Sequence, residues 1–206
     1  MKAWVVPAAA VAALSLPAPA QAARACHPPG SHTQAKDALV RVFSVKSGLY
    51  ACRTGGSRVT LQPPGQSWRP RPGVDVRGSN VAFVRENCDE LSCYPELRVL
   101  QVRRRSAREL LDTFPLAQRQ DEVRVERVLL GPHAALVWTE CELVANNRFR
   151  CAPGAESQKA VFSQKTSDEL PMQLASGTGI DSMSLRVSGN VASWLDGGQP
   201  QSAPIR

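Results

Sequence analysis

Val76-Arg77-Gly78-Ser79-Asn80-Val81-Ala82-Phe83-Val84-Arg85-Glu86-Asn87-Cys88 decides the fold, because the chain carries it more than once. The second copy is Leu129-Leu130-Gly131-Pro132-His133-Ala134-Ala135-Leu136-Val137-Trp138-Thr139-Glu140-Cys141. The glycine, one alanine, one valine and the cysteine fall in register between the two. A shorter copy without the cysteine reads Val187-Ser188-Gly189-Asn190-Val191-Ala192-Ser193-Trp194. Each copy is a glycine turn followed by an apolar run too short for a helix and rich in β-formers. Val74 and Val76 alternate with Asp75 and Arg77, as in a strand with one polar face, whereas Val81–Val84 is apolar on both faces, as in a strand held between layers.

Outward from this unit the same grammar continues. Val40, Val42, Phe43 and Val45 form one strand, Leu49–Cys52 a second and Val59–Leu61 a third, joined by turns at Ser47-Gly48 and Thr54–Ser57. Gln62–Gly73 holds Pro63, Pro64, Pro70 and Pro72, which remove backbone donors and fix φ, so this segment reads as a crossing loop with Trp68 packed back on the core. Leu97–Val102 is a strand, and Arg103-Arg104-Arg105 caps a hairpin or charges an edge against aggregation. Val123–Leu129 alternates, Asn146-Asn147 lies in a loop, and Ala160–Phe162 follows. The expected units are 37–62, 74–112, 123–174 and 180–196, within one domain spanning 37–196. Residues 23–36 form a lead-in and 197–206 a flexible tail. The first and last units carry three and two recognisable strands.

Repeated units of roughly 40–60 residues, each a few short strands, are the pattern of propeller blades or stacked sheets. At Gly78–Val84, Gly131–Val137 and Gly189–Trp194 the chain resembles the WD-like repeats of small secreted β-propeller-type proteins of high-GC bacteria, in which a Gly-x-x-Val-Ala-aromatic strand precedes a cysteine-bracketed hairpin. Neither a Pro-Asp-Gly turn nor a Trp-Asp dipeptide is present. The resemblance implies architecture only, because such folds host unrelated functions. A ring needs at least four blades, and pairing the two partial units leaves three. The fold class is therefore all-β, with antiparallel meander sheets in an incomplete, open propeller-like arc; a β-sandwich is the alternative.

The compartment is read from the start of the chain and from cysteine. Met1-Lys2, an uncharged apolar run to Pro19 and the small-x-small Ala20-Gln21-Ala22 form a signal peptide, residues 1–22, cleaved after Ala22. Pro7, Pro17 and Pro19 interrupt the run, which falls short of the roughly 20 residues of a membrane span. Arg24 departs from a lipoprotein signal before Cys26. All six cysteines follow this segment, and an even number in a secreted, extracytoplasmic protein reads as disulfides. Cys88 and Cys141 occupy equivalent strand ends, each with a cysteine one loop later. The expected pairs are Cys88–Cys93 and Cys141–Cys151, leaving Cys26–Cys52 to tie the lead-in to the first sheet.

The chemistry is sparse. Net charge is +7 with aromatics at 5%, a spread of arginines without the clustered charge and stacking rings of a nucleic-acid surface. The three histidines are His27 and His32 in the lead-in and His133 on a repeat turn. Nucleophile-elbow, zincin, phosphate-loop, dinucleotide and EF-hand patterns are missing, and Cys-x4-Cys is not the spacing of a disulfide exchanger. Asp89-Glu90 reads as a solvated turn, since calcium needs 6–8 oxygens. No catalytic residue, metal ligand or cofactor is assigned. Three functions are carried forward. The first is a non-enzymatic exported β-repeat protein that binds a partner or ligand through rim loops. The second is a hydrolase or lyase with dispersed residues on the loops, and the third an envelope assembly component that docks through a sheet edge.

Overall fold

A computed structural model describes residues 26–46, 48–64, 73–88, 93–113, 123–142, 158–165 and 167–205. The signal segment, Trp68, Asp89-Glu90, Asn146-Asn147 and Cys151 lie outside the described residues. Among the described residues the fold is all-β: fifteen strands in four antiparallel meanders, none closed into a barrel. Sheet I contains β1 (His32–Lys36), β2 (Val40–Val45), β3 (Gly48–Arg53) and β4 (Arg58–Gln62). Sheet II contains β5 (Val74–Arg77), β6 (Asn80–Cys88), β7 (Cys93–Val102) and β8 (Ala107–Thr113). Sheet III contains β9 (Val123–Leu130), β10 (Leu136–Glu142), β11 (Lys159–Gln164) and β12 (Met172–Gly177), and sheet IV contains β13 (Ile180–Ser188), β14 (Val191–Asp196) and β15 (Gln199–Pro204). Within every sheet the strands lie in chain order.

The sheets form a series, because each inner strand is apolar on both faces and must be covered twice. Val81 and Phe83 pack with Val40, Val42 and Leu49 between sheets I and II. Ala82 faces the other way, packing with Leu136 and Trp138 between II and III. Ala135 and Val137 meet Ala192, Trp194 and Ile205 between III and IV. At roughly 25 cal/mol per Å² of apolar area these three interfaces supply the main stabilisation. The first strands β1, β5, β9 and β13 adjoin in that order along one side of the arc. Among the described residues no apolar cluster joins sheet IV to sheet I. The series of four sheets replaces the two-layer sandwich alternative.

Two end assignments need correction. The lead-in contains β1, whose His32-Thr33-Gln34-Ala35-Lys36 pairs antiparallel with β2; its polar composition hid a strand held by backbone pairing. The expected flexible tail contains β15, which pairs with β14 along its whole length. Sheets I and IV thus have four and three strands, not three and two.

The glycine turns also divide in role. Gly78 and Gly189 occupy the left-handed region, at φ 60° and 53°, in two-residue hairpin loops. Gly131 does not, at φ −86°. There the loop is longer, and His133 and Ala134 take the positive φ values of 55° and 66°. A Cβ on Gly131 would stand 3.2 Å from Ile205 Cδ1, so this glycine serves close packing against the last residues of sheet IV.

Candidate functional site

The ends of the arc differ chemically. Each second strand, β2, β6, β10 and β14, carries an aromatic on the face turned toward the preceding sheet: Phe43, Phe83, Trp138 and Trp194. Among the described residues no sheet precedes Phe43. Its ring stacks with Tyr50 at 5.8 Å and packs with Cys26 and Cys52. The Cys26–Cys52 disulfide fixes the lead-in over this face. Arg41 completes the cover, donating from Nε to Thr33 Oγ1 at 2.8 Å, from Nη2 to Ser31 Oγ at 3.2 Å and from Nη1 to the Cys26 carbonyl, with its guanidinium 4.9 Å from the Phe43 centroid. The lead-in therefore stands in for a missing sheet.

The other expected disulfides are only partly in view. Cys141 is disulfide-bonded, and its expected partner Cys151 lies outside the described residues. Cys88 stands opposite Cys93 in the β6–β7 register, their side chains being outside the described set.

Polar side chains clasp each sheet to the next. Asp37 Oδ2 accepts the Gly78 N–H at 2.7 Å, from sheet I to sheet II. Asp75 Oδ2 accepts the Leu130 N–H at 2.7 Å, and Arg77 Nη1 donates to the Leu130 carbonyl at 3.3 Å, so both backbone polar groups of one residue in sheet III are held from sheet II. Glu126 Oε2 accepts from Ser182 Oγ at 2.5 Å across to sheet IV and pairs with Lys159 Nζ at 3.3 Å. Burial raises the Asp75 carboxyl above its ordinary value, against the pull of the Leu130 and Val76 N–H groups and of Arg127 and Arg77. The exposed Asp37 is lowered by the N–H groups of Gly78 and Ala38. Nothing in the sequence marked these carboxylates: Asp75 alternates with valines as a solvent-facing residue would.

The densest ionisable cluster lies on sheet II. Glu96 is 6% exposed, with Arg85 Nε at 3.8 Å from its Oε2 and Arg98 Nε at 3.7 Å from its Oε1. Arg98 also reaches Asp112 Oδ2 at 3.7 Å and Glu109. Burial, together with the like charge and hydrogen bonding of Asp112, raises the Glu96 carboxyl despite the two arginines. A raised carboxyl beside a second carboxylate resembles a general-acid arrangement, yet Glu96 is enclosed, and its neighbours complete an ion-pair network. No histidine joins it: His27, His32 and His133 are each exposed on separate turns or edges. Among the described residues no group of His, Cys, Asp and Glu is arranged to hold a metal, and no helix is long and apolar enough to cross a membrane.

Comparison with protein-family models, curated proteins and solved structures finds no match.

Proposed function

We propose that the protein is an exported, disulfide-stapled β-repeat scaffold that binds a partner or ligand through loops at one rim of its arc and turns over no substrate. The observation that carries this reading is the Cys26–Cys52 bridge, which locks the chain's lead-in across the outer aromatic face of sheet I. Such a staple persists in an oxidising compartment, and it fits the leader read at residues 1–22. The carboxylates that do not face solvent are engaged between or within sheets, as Asp75, Glu126 and Glu96 illustrate. That supports a rigid frame with binding left to the rim, and the resemblance to WD-like secreted repeat proteins supports the same architecture.

Expression of the full chain in a bacterial host tests the reading. The expected product is extracytoplasmic, starts at Ala23 and resists thiol alkylation at Cys26 and Cys52 until reduced. Retention in the cytosol with Met1 in place and both thiols reactive would overturn export. Turnover of ester, glycoside or phosphodiester model substrates above the buffer rate would overturn the non-catalytic assignment.

A further inference from the structure

We infer that the rim formed by the β3–β4 and β7–β8 turns is a binding surface for a linear phosphate polyanion. The two turns lie far apart in the chain and meet in the fold. The Ser57 N–H donates to the Arg104 carbonyl at 2.6 Å, and a Cβ on Gly56 would fall 2.5 Å from that same oxygen. Only glycine lets the first turn approach the second so closely. The β7–β8 turn is itself closed by the Arg103 N–H on the Ser106 carbonyl at 2.8 Å. The backbone beneath the arginine triplet is thus held in place.

This contact sets the turn flanked by Arg53 and Arg58 against the turn that holds Arg103, Arg104 and Arg105 and leads into Arg108. Arg53 is partly exposed and the other five are exposed, and residues 53–58 and 103–108 contain no acidic side chain. Among the described residues none of the six has an ion-pair partner; Arg58 lies 4.5 Å from the centroid of the buried Tyr50 ring. Adjacent sheets pack about 10 Å apart, close to the Debye length of about 8 Å at physiological salt. The fields of the two turns therefore add. A single small anion would gain little, because one exposed ion pair is worth about 0–1 kcal/mol. A multivalent chain gains from every site through counterion release, and the guanidinium fork matches phosphate oxygens in bidentate geometry.

The rest of the surface narrows the ligand. Besides arginine the turns hold Thr, Gly, Ser and Ala. They offer no exposed ring for stacking single-stranded bases and no large apolar side chain to enter a bilayer.

This inference rests on the scaffold reading and supplies its ligand class. The test uses the oxidised mature chain titrated with long-chain inorganic polyphosphate at about 50 and 200 mM salt. Wild type should bind saturably and weaken steeply with salt. Arg103→Ala/Arg104→Ala/Arg105→Ala should lose about tenfold or more in affinity, with the slope of log K against log salt falling by about 2. Arg53→Ala/Arg58→Ala should also weaken binding, while Lys46→Ala/Lys165→Ala, which removes two exposed cations outside these two turns, should bind like wild type. Far-UV circular dichroism checks that each variant is folded. No saturable binding by wild type, equal weakening in the lysine variant, or tighter binding to phosphatidylglycerol vesicles than to the polymer would each overturn the inference. Those results leave the scaffold reading standing. Shortening of the polymer by wild type would instead sink the non-catalytic reading and leave the binding surface in place.

Discussion

Asp75 of β5 accepts the N–H of Leu130, the last residue of β9, at 2.7 Å across the interface between sheets II and III. Arg77, two residues on and on the same face, donates to the carbonyl of that same Leu130. Both backbone polar groups of this one residue of sheet III are therefore held by side chains of sheet II. Asp37 on Gly78 and Glu126 on Ser182 form the corresponding bridges on either side. Apolar packing is non-directional, and these bonds fix how far each sheet slides along its neighbour.

Replacing Asp75 by alanine is expected to cost about 2–4 kcal/mol, since it leaves a partly buried donor unpaired and removes the charge opposite Arg127 and Arg77. Asp75→Asn keeps an acceptor for the Leu130 N–H and should cost less. Urea unfolding of the two variants gives the difference; equal losses would mean the charge, not the acceptor, matters.

Glu96 sets a pH dependence of known sign. Its carboxyl, like that of Asp75, is raised above the ordinary value, so folding favours the protonated form. The stability linked to both groups is fully present below the ordinary carboxylate range. It is lost as pH rises through their raised values. Asp37 is lowered and acts oppositely, its contribution being lost as pH falls through its folded value. Glu96→Gln, which cannot ionise, should therefore lose less stability than wild type between acid and neutral pH, so that it gains on wild type toward neutrality. The gain should vanish below pH ~4. Calorimetry across that range checks it, and a gain that grows toward acid would contradict the assignment.

The Cys26–Cys52 bridge closes a loop with a sequence separation of 26 residues, for which chain entropy gives about 3 kcal/mol. Cys26→Ser/Cys52→Ser should lose roughly that amount and expose Phe43 and Tyr50, which the lead-in now helps to cover. Denaturant midpoints and dye binding to the exposed aromatic face measure the two effects separately. A double variant as stable as wild type would show that Arg41 and the β1–β2 pairing hold the lead-in without the bridge.

Much of this frame was legible in the chain. Gly78 and Gly189 mark two-residue turns, Val81–Phe83 is buried on both faces, and Arg103–Arg105 does sit at a hairpin tip. Counting from those glycines, the aromatic at the fifth position, Phe83 or Trp194, keeps its face. The Val-Ala dipeptide does not. Val191-Ala192 follows its glycine one residue sooner than Val81-Ala82, and a one-residue slip exchanges faces; Val191 is 44% exposed where Val81 is buried. Polar strands escaped notice because β1 and β15 are held by backbone pairing, to which side-chain periodicity is blind. Asp75 and Glu126 escaped because alternation reports a polar face without saying that another sheet covers it. The arginine rim is invisible for a third reason, since residues 53–58 and 103–108 converge only through the Ser57–Arg104 hydrogen bond.

The open edge of β15 bears on the sheet-edge assembly reading. Ile205 donates to the Asn190 carbonyl at 2.9 Å, and Val191 stands opposite Pro204 in the register. Alternation then turns the backbone groups of residues 200, 202 and 204 away from β14. Two of those three are prolines, so Ser202 alone offers an outward N–H. A strand added to this edge would lack most of its donors, a common means of keeping an edge unpaired. Pro200→Thr/Pro204→Thr restores both donors without touching the interface with sheet III. The double variant is expected to self-associate in sedimentation velocity at concentrations where wild type sediments as a single species. Should it sediment like wild type, the prolines are not what guards this edge; should wild type already associate through β15, the assembly reading gains the support that this geometry denies it.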